Sequence, residues 1–186
     1  MQLAKALSIS LYGLAGRIIE VEADISSNLP AFVLVGLPDA SVNEAASRVR
    51  AATTNSKLAL PGRRITVNLS PASVPKQGSS FDLAIAMAAL AAANQVNKHQ
   101  VEKTLFLGEL ALDGSIKPIN GILAALIACT AVAQFGVAAC ALAVWWGRDT
   151  LMPRPVRPNR AAAIPKCQAL FMLHPLCKLP NPQEVR

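Results

Sequence analysis

The stretch Ala31–Asn55, AFVLVGLPDASVNEAASRVRAATTN, decides the fold class, because its hydrophobic period changes halfway along. Ala31–Gly36 is a short continuous apolar run, the pattern of a strand covered on both faces. Leu37-Pro38-Asp39 is a turn signal. Beyond it Val42, Ala45, Ala46, Val49 and Ala52 recur at helical spacing, with Arg48 and Arg50 turned away from that stripe. Ser41 and Glu44 have the spacing of a capping box at the helix start, and Asn55 is a plausible stop. A strand that runs through a tight turn into an amphipathic helix points to a domain with both element types.

The flanks extend the pattern. Residues 5–11, KALSISL, alternate loosely. Arg17–Ile25 alternates clearly, with Ile19, Val21, Ala23 and Ile25 on one face and Glu20, Glu22 and Asp24 on the other, as in a half-buried antiparallel strand. Arg64–Leu69 is a further strand. Ser70–Ser80 is a loop with two prolines and a glycine, and it opens into a helix over Asp82–Ala93. Leu105–Leu110 reads as a strand, Asp113-Gly114 as a hairpin turn, and Gly121–Gln134 as a helix capped by Asn120. Ala138–Trp146 is the last candidate strand. Strands come first and then alternate with helices, so the expected class is α+β, or mixed α/β.

Composition sets limits. The chain has 186 residues, 53% of them hydrophobic and 16% charged, which excludes a disordered chain overall. The net charge of +7 is uneven: residues 1–147 carry 11 Lys/Arg against 9 Asp/Glu, and residues 148–186 carry 7 against 2. Seven of the 13 prolines also fall in 148–186. The expected organisation is one domain over 1–146 and an irregular Pro/Arg-rich tail over 147–186, read as a solvated end rather than a nucleic-acid or lipid site. Val137–Trp146 would then be left partly uncovered, which predicts marginal stability or aggregation.

Cys129, Cys140, Cys167 and Cys177 form no CxxC pair, and Cys167, His174 and Cys177 match no common zinc spacing. No secretory leader is visible, so a reducing, cytoplasmic setting is expected, with no metal held by this chain. Gly121–Gly147 contains no charge and is long enough to be weighed as a membrane span. Gln134-Phe135-Gly136 breaks it into two pieces of globular size, which disfavours that reading.

Three blocks carry a family resemblance: LVGLPDASVNEAASRVRAATTN (Leu34–Asn55), RRITVNLSPASVPKQGSSFDLAIAMAAL (Arg63–Leu90) and FLGELALDGSIKPINGILAAL (Phe106–Leu126). Together they resemble the N-terminal domain of ComM/YifB-type magnesium-chelatase-like AAA+ proteins, over roughly residues 1–137. The resemblance implies a ribosomal protein S5 domain 2-like sheet with two to three packed helices, a fold shared with the proteolytic domain of Lon-type proteases. It also implies an accessory role. Full-length members are described as hexameric, ATP- and Mg-dependent motors that migrate DNA branches during natural transformation, with the ATPase module following this domain. This chain has no G-x-x-x-x-G-K-[ST] loop, so it has no cradle for ATP phosphates and no cofactor of its own. The expectation is a domain cut off before its ATPase, with no small-molecule substrate and partnered by DNA, by an AAA+ module or by further copies of itself. A shifted reading frame near codons 134–150 would account for the tail; a continuous intact frame in the DNA would refute it.

The Lon-like relation places Ser80 of Lys76-Gln77-Gly78-Ser79-Ser80-Phe81-Asp82 on the nucleophile position. The partner lysine would fall on Leu123, which cannot accept a proton. Lys117 is near in sequence but belongs to the hairpin. Ser79 or Ser80 is therefore expected to cap the following helix, with Asp82 at its positive end. Arg48, Arg50, Arg63 and Arg64 are the candidates for contact with DNA phosphates, weighed against an ordinary solvated face. Tyr12, Phe32 and Phe81 are too scattered for a base-stacking platform, and His99 is assigned to a polar loop.

Overall fold

A computed structural model of the chain describes residues 2–12, 15–132 and 141–142. Strands β1 (Gln2–Tyr12) and β2 (Ala15–Ser26) form a long antiparallel hairpin. Strand β3 (Ala31–Val35) leads through the Gly36–Asp39 turn into helix α1 (Ala40–Asn55), and β4 (Arg64–Ser70) follows. The four strands form one sheet in the order β1-β2-β4-β3, antiparallel except for the β3–β4 pair. A 3-10 turn (Ser79–Phe81) leads into α2 (Asp82–Ala92). Next come α3 (Lys98–Glu102), β5 (Phe106–Leu107), β6 (Glu109–Leu110), β7 (Ile116–Lys117), α4 (Ile122–Val132) and β8 (Ala141–Leu142). The mixed α/β class is the expected one.

Alternation fixes the core. Register places Ala6 beside Val21, Val21 beside Leu69, and Ala23 beside Val67, all on one face and all buried. Helix α2 lies on that face with every one of its eleven residues buried. Its alanines let it sit close to the sheet, where larger side chains would hold it off. Helix α1 adds Val42, Ala45, Val49 and Ala52 to the same core, and its Ala46 is only half-buried.

The opposite face has two halves. Lys5, Glu22 and Asn68 stand side by side on β1, β2 and β4; Lys5 pairs with Glu20 at 2.8 Å and Glu22 at 2.9 Å, and Asn68 donates to Glu22 at 3.1 Å. Further along the hairpin, Ile9 and Gly16 lie on this same face. There α4 packs through Ala125 and Ala128, so close that a Cβ on Gly16 would meet the Ala128 Cβ at 2.5 Å. Among the described residues, helices thus cover one face of the sheet along its length and the other face at one end.

Several sequence expectations need correction. β3 is an edge strand with half-exposed side chains, not one covered on both faces; its apolar run reflects packing against α1 on one side only. The cap of α1 is Asp39, whose carboxylate accepts the Val42 N–H at 2.7 Å, in place of the Ser41–Glu44 box. The strand expected over Leu105–Leu110 breaks at Gly108, whose N–H and C=O turn to Ser80 and Leu83. His99 stands in the short helix α3, capped by Asn97, rather than in a loop. Helix α4 begins at Ile122, with Gly121 at φ +85° before it instead of an Asn120 cap. The Asp113-Gly114 hairpin forms as expected, joining β6 to β7. The tail over 147–186, most of Ala138–Trp146 and three of the four cysteines (Cys140, Cys167, Cys177) lie outside the described residues.

Candidate functional site

Two places gather chemistry-bearing side chains. The first is a buried ionic knot. Arg48 lies on the side of α1 that faces the start of α2, and its guanidinium reaches Asp82 in a fork: Nε to Oδ2 at 2.7 Å and Nη2 to Oδ1 at 3.0 Å. Nη2 also donates to the Ser41 carbonyl at 2.8 Å, and Nη1 lies 3.4 Å from Glu44. Asp82 is buried, with 1% of its side chain exposed, and its Oδ2 accepts the Leu110 N–H at 3.3 Å. Burial pushes the Asp82 carboxyl up, and Arg48 and the Leu110 N–H pull it partly back. Arg48 is held more firmly protonated, chiefly by its hydrogen bond to Asp82. A forked, hydrogen-bonded pair is the geometry in which a buried carboxylate is tolerated.

The knot is extended at both ends. Ser79 Oγ donates to Glu109 in a short hydrogen bond, tying the turn before α2 to β6. Asp39 caps α1 through Oδ1 and takes the Gly78 N–H on Oδ2 at 3.1 Å. Lys76 is fully buried beside it, its ammonium donating to Gly36 O at 2.7 Å and to Pro71 O, while its own carbonyl takes the Asp39 N–H. Loss of hydration lowers the Lys76 pKa. Gly36 is obligatory here: at φ +102° its Cβ would sit 2.1 Å from the Leu69 carbonyl oxygen.

The second place is a cleft of about 250 Å³, lined by Ile9 to Tyr12, Gln77, Ser80, Leu107 and Asn120 among others. Ser80 is therefore presented to a cavity, as its alignment with a nucleophile requires. Among the described residues that line it, none is a lysine, histidine or carboxylate that could take its proton. Leu123 is 70% exposed and Lys117 stands on β7, as expected. Capping is not the role of either serine: no side-chain hydrogen bond caps the 3-10 turn or α2, because Ser79 is spent on Glu109.

The four arginines separate. Arg48 is occupied by Asp82. Arg50 lies over the Phe32 ring at 5.6 Å, and Arg63 and Arg64 are exposed at the start of β4, next to Ala31 of the edge strand. Among the described residues no three His, Cys, Asp or Glu side chains converge as a metal site, and no helix is long and apolar enough to cross a membrane.

Sequence reasoning missed Lys76, Glu109 and the bridging role of Asp39. A lysine between a proline and a turn looks solvated, and nothing local announces the two carbonyls that the fold brings to it.

The described residues form a mixed α/β domain knotted together by residues from three separate motif blocks. The comparisons show its family. The family model described as subunit ChlI of Mg-chelatase matches residues 21–139. An uncharacterised protein of Mycobacterium tuberculosis is 49% identical over 128 residues, which are 69% of this chain and 25% of that protein. Competence protein ComM of Haemophilus influenzae is 41% identical over 128 residues, again 69% and 25%. Protein YifB of Escherichia coli is 45% identical over 103 residues, 55% of this chain and 20% of that protein. The chain belongs to the magnesium-chelatase-like ComM/YifB family and spans about a quarter of the length of these relatives.

Proposed function

We propose that this chain is the non-catalytic N-terminal domain of a cytoplasmic, ATP-driven DNA-processing motor of the ComM type. The observation that carries the reading is the Arg48–Asp82–Leu110 knot. The blocks on which the family resemblance rests meet there, and their charged residues are spent on joining elements rather than on a reaction. Among the described residues the cleft offers Ser80 no lysine, histidine or carboxylate as a base, which argues against a hydrolase. The chain contains no P-loop, so its residues do not fit ATP and Mg, and that chemistry belongs to an ATPase module in a full-length protein. Of the four candidate arginines, Arg50, Arg63 and Arg64 remain available to DNA phosphates, and Arg48 is held by Asp82. Assembly into a hexamer would follow from the ATPase module.

The test is a chimera. In competence protein ComM of Haemophilus influenzae, the 128 matched residues are replaced by those of this chain. Transformation frequency is then compared with wild type and with a deletion of the same stretch. Restoration by the chimera, and its loss on Arg50→Glu/Arg63→Glu/Arg64→Glu with ATPase rate unchanged, supports the proposal. A chimera no better than the deletion, although folded and active in ATP hydrolysis, defeats it.

A further inference from the structure

We infer that the cleft beside Ser80 takes an extended, uncharged segment of a separate polypeptide, which adds as a strand to the free edge of β1 at Leu11. Four consecutive residues of one strand, Ile9 to Tyr12, line the cleft. Successive side chains of a strand point to opposite faces, so a cavity touched by four in a row runs along the strand's edge and not across one face. That edge is the one turned away from β2. The Leu7 N–H leaves the hairpin on this side, to the Thr104 carbonyl, and Leu7 bridges Leu105 in parallel. Residues two apart on an antiparallel strand direct both backbone groups to the same side, so Ile9 and Leu11 face outward as well. β5 accompanies β1 only as far as Leu107, because Gly108 swings away to Ser80 and Leu83. Beyond it, the outward N–H and C=O of half-buried Leu11 have no partner among the described residues.

The walls select the ligand. Gln77, Ser80 and Asn120 offer neutral donors and acceptors, while the Ser10 and Tyr12 hydroxyls already donate to the Pro75 carbonyl, and Ile9, Phe81 and Leu107 offer apolar surface. Among the described residues that line it there is no lysine, arginine, aspartate or glutamate, so a charged side chain entering the cleft would find no described partner for its charge. The volume of about 250 Å³ lies below the ~300–1,000 Å³ of pockets that enclose a drug-sized molecule. It suits a strand lying along the edge with one or two aliphatic or hydroxyl side chains inside. Backbone hydrogen bonds would supply affinity and the alternate side chains selectivity, as in other strand additions. This inference is independent of the DNA-processing role.

The full chain is titrated with an acetylated, amidated pentapeptide of alternating threonine and valine. Amide resonances of β1 are followed alongside fluorescence anisotropy of the labelled peptide. Saturable binding with shifts centred on Leu11 is expected. It should weaken about tenfold when alternate peptide amides are N-methylated, since the bonds to the edge are lost. Placing aspartate or lysine at the central position should weaken it similarly. Leu11→Pro removes the outward N–H without touching the ladder to β2 and should have the effect of N-methylation. Absence of saturable binding overturns the inference. So does equal binding of the plain and N-methylated peptides, a comparison that does not depend on the variant folding.

Discussion

Replacing Arg48 by methionine would leave the Asp82 carboxylate buried with only the Leu110 N–H for company. Breaking one partner of a buried pair costs about 3–5 kcal/mol, much more than the pair's net contribution. Arg48→Met should lower the urea midpoint accordingly, and Arg48→Met/Asp82→Leu should recover most of the loss; equal loss in the double variant would refute the buried-charge account. The half-buried triad on the other face behaves differently. Lys5 and Asn68 hold the Glu22 carboxyl below its ordinary 4.5. A carboxylate depressed in the folded state contributes stability above its unfolded value and loses it as pH falls through the folded one. Stability should therefore drop below pH 4.5, and Glu22→Gln should remove part of that slope. With both partners partly exposed, the amount is about 0.2–1 kcal/mol, read by unfolding at pH 7 and pH 3.

At the scale of elements, α2 and α4 respond oppositely to substitution. Every residue of α2 is buried, and Ala88 has no exposed surface. Ala88→Leu adds volume to a filled interior and should cost about 1–3 kcal/mol. Leu123 on α4 is 70% exposed, so Leu123→Gln should leave the unfolding midpoint within about 0.5 kcal/mol of wild type. A large loss for Leu123→Gln would show that α4 is covered on that side.

For the whole molecule, none of the described residues lining the cleft with Ser80 is a lysine, histidine or carboxylate that could act as its base, which predicts that Ser80→Ala leaves folding stability unchanged and abolishes no hydrolysis. A fluorophosphonate probe should not label the wild-type chain, and the variant should unfold at the same denaturant concentration. Labelling lost on Ser80→Ala would restore the hydrolase reading. The knot predicts one cooperative unfolding transition for the described domain, because α1, α2 and the β6–β7 hairpin share it. Asn55 adds to this by donating to the Leu112 carbonyl at 2.6 Å, so the residue that ends α1 also pins the hairpin.

Much of this was legible in the sequence. The alternation of Arg17–Ile25, the period change after Asp39 and the Asp113-Gly114 turn are local signals, and local backbone preference with side-chain periodicity is enough to set strands, helix and hairpin. The buried face of β2 and the placement of Lys117 followed for the same reason. What the sequence could not reveal were partnerships between residues far apart along the chain. Arg48 reads as a solvated helix residue until α2 brings Asp82 to it 34 positions away. Lys76 reads as a loop cation until two carbonyls, one of them 40 positions distant, converge on its ammonium. β3 reads as central because its residues are apolar, and only the strand order makes it an edge. Periodicity records which face of an element avoids water, whereas the choice of polar partner and the position of a strand in its sheet arise when the elements pack, and only the tertiary structure decides them.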